Sequence, residues 1–154
     1  MPTPSEHINQ WKRNRKLLLS EALVDYPEWR ITVAFYCALH AVEALLAARA
    51  LPRFQDHAGR NRFLGDQGNK LLHIWHSYKP LFDASHDARY ACPDAARRFP
   101  PAVQKQLIQA CLQHIEGAVI AAIPVPRAEF PLIEVHATTG KITLKNLEAP
   151  ETTP

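Results

Sequence analysis

Residues 56–62, DHAGRNR, set one histidine, two arginines and an asparagine within seven positions, with a glycine among them. Arginine forks pair with phosphate bidentately, and an imidazole exchanges a proton near neutral pH. At helical spacing His57 and Arg60 can meet at one phosphate. With Asp56 as N-cap, the segment starts a short helix. Its first amides, together with Arg60, Asn61 and Arg62, would make an anion site. A solvated polar turn is the alternative.

A second polar group precedes this one. Tyr36, His40 and Glu43 fall at four and three spacings on one stripe of an otherwise apolar helix. Polar side chains inside such a pattern need partners, because each one left unpaired costs about 1–3 kcal/mol. A third group, Tyr78, Ser85, Arg89 and Tyr90, lies on a later helix. If the connector folds over the ends of both helices, His40, His57, Arg60, Asn61, Arg62, Tyr78, Arg89 and Tyr90 share one ligand-binding cleft. The structural reading makes His40 and Glu43 a satisfied pair and gives Arg89 a carboxylate on the first or second helix. Further basic clusters are Arg53 in the connector, Lys12 to Lys16 and Arg97-Arg98.

Other chemistries lack their signals. His73 and His76 stand three apart on a helix, but zinc wants three or four ligands and no third has a diagnostic spacing. No metal and no cofactor is expected. Phosphate-loop, dinucleotide and hydrolase-elbow patterns do not occur. Cys37 sits in apolar surroundings, which raise a thiol pKa and disfavour a nucleophile.

These groups are positioned by helices. Thr3, Pro4 and Glu6 form a capping box that opens the first, with a stripe of Ile8, Trp11, Arg15, Leu18, Leu19 and Ala22. The run KRNRK on it is expected to be partly solvated. Asp25 as cap and Pro27 at the first position open the second, which runs to about Ala50 before Pro52. It is apolar nearly all round and therefore central. The connecting helix starts at Asp56 and ends at Gly65 or Gly68. A third long helix opens near Asn69 with Leu71, Leu72, Trp75, Tyr78, Phe82, Ser85 and Arg89 on one face, and Pro80 should kink or break it. A fourth runs from Pro100 or Pro101 to about Ala122, striped by Val103, Leu107, Ile108, Cys111, Leu112, Ile115 and Val119.

The composition then shifts. PVPRAEFP is a proline-rich linker, and LIEVHATTGKITL alternates on both sides of Thr138-Thr139-Gly140, which predicts a hairpin or extended tail. A lone hairpin is marginal, so it packs on the bundle, pairs with another chain or stays mobile. The expected fold is all-α, an up-down bundle of four to five helices over residues 1–123, followed by a linker and β-like tail over residues 124–154.

A chain of 154 residues suits one domain without disulfides, and three cysteines without CxxC spacing fit a reducing cytosol. Cys92 falls in a loop. The N-terminal segment does not read as a signal peptide. Residues 31–48 read as a core helix and not a membrane span, because His40 and Glu43 interrupt them. A net charge of +3 is compatible with an anionic partner.

The order YPEWRITVAFYCALHAVEALLAARAL, then DHAGRNRFL, then YKPLFDASHDARY resembles bacterial proteins of the HEPN superfamily, over roughly residues 5–122. That family has a long helix with an aromatic-small-small-His stretch, a connector with His and Arg, and a later helix ending near Ala-Arg-Tyr. The resemblance implies a helical bundle, commonly a homodimer. Many relatives are RNases of toxin and defence systems. Others are non-catalytic partners of nucleotidyltransferases, or nucleotide- and RNA-binding modules. The catalytic members carry Arg, then four to six intervening residues, then His. Here Arg53 and His57 have three residues between them, Arg49 and His57 seven, Arg30 and His40 nine, and Arg127 and His136 eight. The expectation is therefore a non-catalytic binding module in the cytoplasm. A divergent metal-independent endoribonuclease using His57 and Arg60 is the alternative, and a structural assembly subunit the second.

Overall fold

The computed structural model describes residues 1–91 and 93–145; Cys92 and the end of the tail, residues 146–154, lie outside them. Helices α1 (Pro4–Leu18), α2 (Pro27–Ala48), α3 (His57–Leu64), α4 (Leu72–Tyr90) and the short α5 (Ala95–Arg98) precede one long final helix, α6, at 101–122. Strands β1 (Leu132–Val135) and β2 (Ile142–Lys145) close the chain as an antiparallel hairpin. The protein is an all-α bundle carrying a small β-hairpin.

Local chemistry accounts for most of the boundaries. The capping box of α1 forms: Glu6 donates its N–H to the Thr3 hydroxyl, and the Glu6 carboxylate accepts the Thr3 N–H at 2.7 Å. Asp25 does not cap α2. Tyr26 occupies that position without a side-chain bond, and Pro27 alone pre-sets the first turn. At the other end Leu51 donates to the Leu46 carbonyl at 2.9 Å, and Ala50 donates to Ala47 at 3.3 Å. That closure puts Ala50 at φ 49°, the left-handed place that usually takes glycine.

Helix α2 is the axis of the core. Ile31, Ala34, Phe35, Cys37, Ala38, Ala41, Val42, Ala44 and Leu46 are fully buried against the surrounding elements. It is long and apolar enough to cross a membrane by length and composition, yet 67% of its most apolar window is buried inside the bundle. Helix α4 runs unbroken through Pro80, against the expected break. Pro80 and His76 both lie on its exposed side, so the carbonyl that loses its helical donor faces water. The buried face of α4 is Ile74, Tyr78, Leu81, Ser85 and Ala88, with Leu71, Trp75 and Phe82 along its edge.

Helix α6 is α-helical at its ends and π-wound at Lys105–Leu112. Its buried residues, Leu107, Ile108, Cys111, Leu112, Ile115, Glu116 and Val119, recur in steps of four. Steps of four exceed the 3.6 residues of an α-turn, and the i→i+5 closure of a π-turn keeps them on one face. The same widening aligns Lys105, Gln109 and Gln113 against β1. Gln113 accepts the Ile133 N–H at 2.6 Å and donates to the Ile133 carbonyl at 2.6 Å, as a neighbouring strand would. Gln109 accepts from Val135 at 2.8 Å, and Lys105 donates to the Val135 carbonyl at 3.1 Å. The hairpin therefore packs on the bundle, with Ile133 and Val135 in the core.

Two outcomes follow from these contacts. Gln113→Ala leaves a strand N–H and carbonyl unpaired and should lower unfolding free energy by about 1–3 kcal/mol in urea titrations. Ala50→Gly relieves the left-handed strain and should raise it by about 0.5–1 kcal/mol.

Candidate functional site

Polar groups of α3 and of the connector before it converge on one carboxylate of α2, and those of α4 do not join them. Glu43 is 4% exposed and Arg60 5% exposed. Glu43 Oε1 accepts from Arg60 Nε at 2.6 Å, and Glu43 Oε2 accepts from Arg53 Nε at 3.2 Å. Arg60 also donates to the Phe54 carbonyl at 3.3 Å and reaches His57 Nδ1 at 3.3 Å. Gly59 makes this packing possible. A Cβ there would stand 2.9 Å from the Phe54 ring, which lies against α3. Asp56 caps α3 by accepting the Gly59 N–H at 2.7 Å. The expected anion site at that helix start is therefore occupied by the chain's own carboxylate.

A relay of nitrogen atoms extends from Arg53. Its Nη2 contacts His7 Nε2 at 2.8 Å, and His7 Nδ1 contacts His40 Nδ1 at 3.0 Å. The bonding pattern dictates the tautomers. Arginine can only donate, so His7 Nε2 accepts and His7 Nδ1 carries the proton. His40 Nδ1 then accepts, and its proton sits on Nε2. By the same rule His57 Nδ1 accepts from Arg60, which leaves Nε2–H as its outward group. All three imidazoles are neutral. Burial pulls each below the ordinary 6.5, His40 to about 4, with neighbouring positive charge from Arg60 lowering them further.

The His57 ring packs on Phe35 at 5.7 Å and on Phe82 at 5.5 Å. Tyr78 is fully buried, and its hydroxyl has no hydrogen-bond partner among the described residues. Burial pushes its pKa up. Among the described residues Arg89 pairs with no carboxylate of the first or second helix. It donates to the Tyr36 hydroxyl at 3.1 Å, with its guanidinium 5.8 Å from the Tyr36 ring and 5.3 Å from the Tyr90 ring. Tyr90 is exposed beside it. Arg62 is exposed on α3, and among the described residues no bond joins it or the Asn61 side chain to the cluster.

His40 and Glu43 are not partners. Each pairs outside α2, His40 with His7 and Glu43 with the two arginines. His7 was absent from the expected set, although its spacing to Trp11, Arg15 and Leu18 places it on the buried face of α1. Beyond this cluster, His73 and His76 are exposed, and no group of three metal-ligating side chains occurs among the described residues. Comparison of the chain with protein-family models, with curated proteins and with solved structures finds no match to any of them.

Glu43→Gln leaves Arg60 buried without its counter-charge and should cost about 3–5 kcal/mol of stability, read by denaturant unfolding. The histidines set a pH dependence of known sign. Their folded pKa values lie below the unfolded 6.5, so the unfolded chain binds more protons on acidification. Stability is full above about 6.5 and falls as pH drops toward 4. Melting temperatures across that interval should decline on the acid side, less steeply in His40→Gln. A flat profile would contradict the neutral relay.

Proposed function

We propose that this chain is a non-catalytic, HEPN-like module that binds a nucleotide or a short single-stranded RNA segment. The observation behind the reading is the setting of Arg89. It lines a cleft of about 310 Å³ with Glu28, Trp29, Thr32, Ala88 and Tyr90, where Trp29 is 55% and Tyr90 72% exposed. Aromatic faces stack bases, and each stacked base contributes about 1–3 kcal/mol. The Arg89 fork suits a phosphate, and the Glu28 carboxylate suits an exocyclic amine.

Cleavage by His57 and Arg60 is the weaker reading for two reasons. Arg60 spends its charge on Glu43 inside the fold and has none to offer a phosphate. The one acceptor nitrogen of His57 faces Arg60, so its outward nitrogen donates a proton and cannot take one from a ribose hydroxyl. The homodimer and a nucleotidyltransferase partner belong to the same reading, resting on the family resemblance alone.

Titration of the full chain with a labelled octanucleotide RNA should give saturable binding. Arg89→Ala and Tyr90→Ala should each weaken it about tenfold, the loss expected for a charged hydrogen bond or a stacked base. Incubation in EDTA should leave the RNA intact. Unchanged affinity in both variants would end the binding reading. Cleavage that disappears in His57→Ala would favour the endoribonuclease instead. Light scattering at micromolar concentration reads the dimer directly.

A further inference from the structure

A cavity lies at the other end of α2 from the Arg89 cleft, separated by roughly 24 Å of helix between residues 29 and 45. It holds about 680 Å³, a size typical of small-molecule sites. Its walls are apolar: Leu45, Leu51, Phe63 and Leu71. Three charged side chains stand at it, Arg49, Lys70 and Asp66.

The two cations differ in how they are held. Arg49 donates Nε and Nη2 to the Ala122 carbonyl at 3.1 and 2.6 Å, at the C-terminal end of α6. Those bonds fix the guanidinium and leave Nη1 for another acceptor. The Lys70 side chain, in the turn before α4, makes no salt bridge or hydrogen bond among the described residues, and it is exposed. Asp66 already accepts the Gly68 N–H at 3.0 Å. Two positive charges against one negative charge leave one positive charge in excess at the water-exposed mouth of the cavity, above its apolar walls.

We propose that this cavity binds a monocarboxylate on a hydrocarbon body, fatty-acid-like in chemistry. The chain lies along Leu45, Leu51, Phe63 and Leu71, and the carboxylate sits between Arg49 Nη1 and Lys70. The excess of one charge matches a monoanion and not the dianion of a phosphate monoester. This site is independent of the RNA reading.

The test follows backbone amide spectra of the full chain during titration with decanoate or with 1-decanol. Decanoate should move signals from residues 45–51 and 63–72, leave 28–32 and 88–90 unmoved, and bind at least about tenfold more tightly than the alcohol, the worth of one charged hydrogen bond. Lys70→Gln removes an exposed side chain with no salt bridge or hydrogen bond among the described residues, so it should keep the fold and weaken decanoate severalfold without affecting decanol. Arg49→Gln should weaken it further, with the same spectra reporting on its fold. Equal affinity for the alcohol, no shifts at millimolar decanoate, shifts confined to the Arg89 cleft, or unchanged affinity in Lys70→Gln would each overturn the proposal.

Discussion

A single buried carboxylate organises one half of this protein. Glu43 emerges from the apolar central helix of the fold and is almost wholly shielded from water. A carboxylate in that position stays ionised only with close counter-charges, and the chain supplies two, from either side of α3's start. Arg60 brings in α3 itself, and Arg53 brings in the strand of connector before it. Arg53 then reaches the Pro2 carbonyl and His7, so the first residues of the chain are held by the same charge. Removing the carboxylate would take one shared anchor from the N-terminal residues, the connector and α3 at once.

A second buried pair does comparable work for the C-terminal part. Glu116, on α6, accepts from Trp11 at 2.9 Å and from Arg15 at 2.6 Å, and Arg15 also donates to the Pro131 carbonyl at 2.8 Å. Phe130 stacks against Trp11 at a centroid distance of 4.0 Å with the Arg15 guanidinium 5.5 Å away. The hairpin that follows is pinned along its inner edge by α6 and at its turn by Arg30, which donates to the Gly140 carbonyl at 2.7 Å. Gly140 takes φ 71° there, so the turn depends on glycine. A two-stranded hairpin that would be marginal alone becomes part of the bundle through side chains of α2 and α6.

These anchors also limit the chemistry. Groups that resemble a proton-transfer and phosphate pair in sequence are consumed by structure. Arg60 neutralises Glu43, and three histidines are held neutral, His7 and His57 by arginine donors on their acceptor nitrogens and His40 by the donor of His7. Among the described residues, Arg89, Tyr90 and Trp29 bring charge and exposed π-surface to one cleft. The polar cluster of α2 and α3 is thus a brace beneath α4, and the exposed end of α4 carries the groups of the proposed binding cleft.

Much of this was legible in the chain itself. Caps, prolines and apolar spacing are local signals, so the starts of α1, α3 and α6, the central place of α2 and the hairpin turn at Gly140 follow from sequence. So does the need for partners around His40, Glu43 and Arg60, since an apolar stripe cannot leave them unpaired. The choice of partner is a different matter. Glu43 sits three residues from His40 yet bonds Arg60, 17 positions away, and His40 bonds His7, 33 positions away. Spacing along one helix reports only which residues share a face. Which charge fills which pocket depends on how separate helices cross, and that is set by burial across the whole core. The same reason hid the partner of Arg15, Glu116, let α4 continue through Pro80 on its wet side, and turned three glutamine and lysine side chains of α6 into the missing neighbour of a strand.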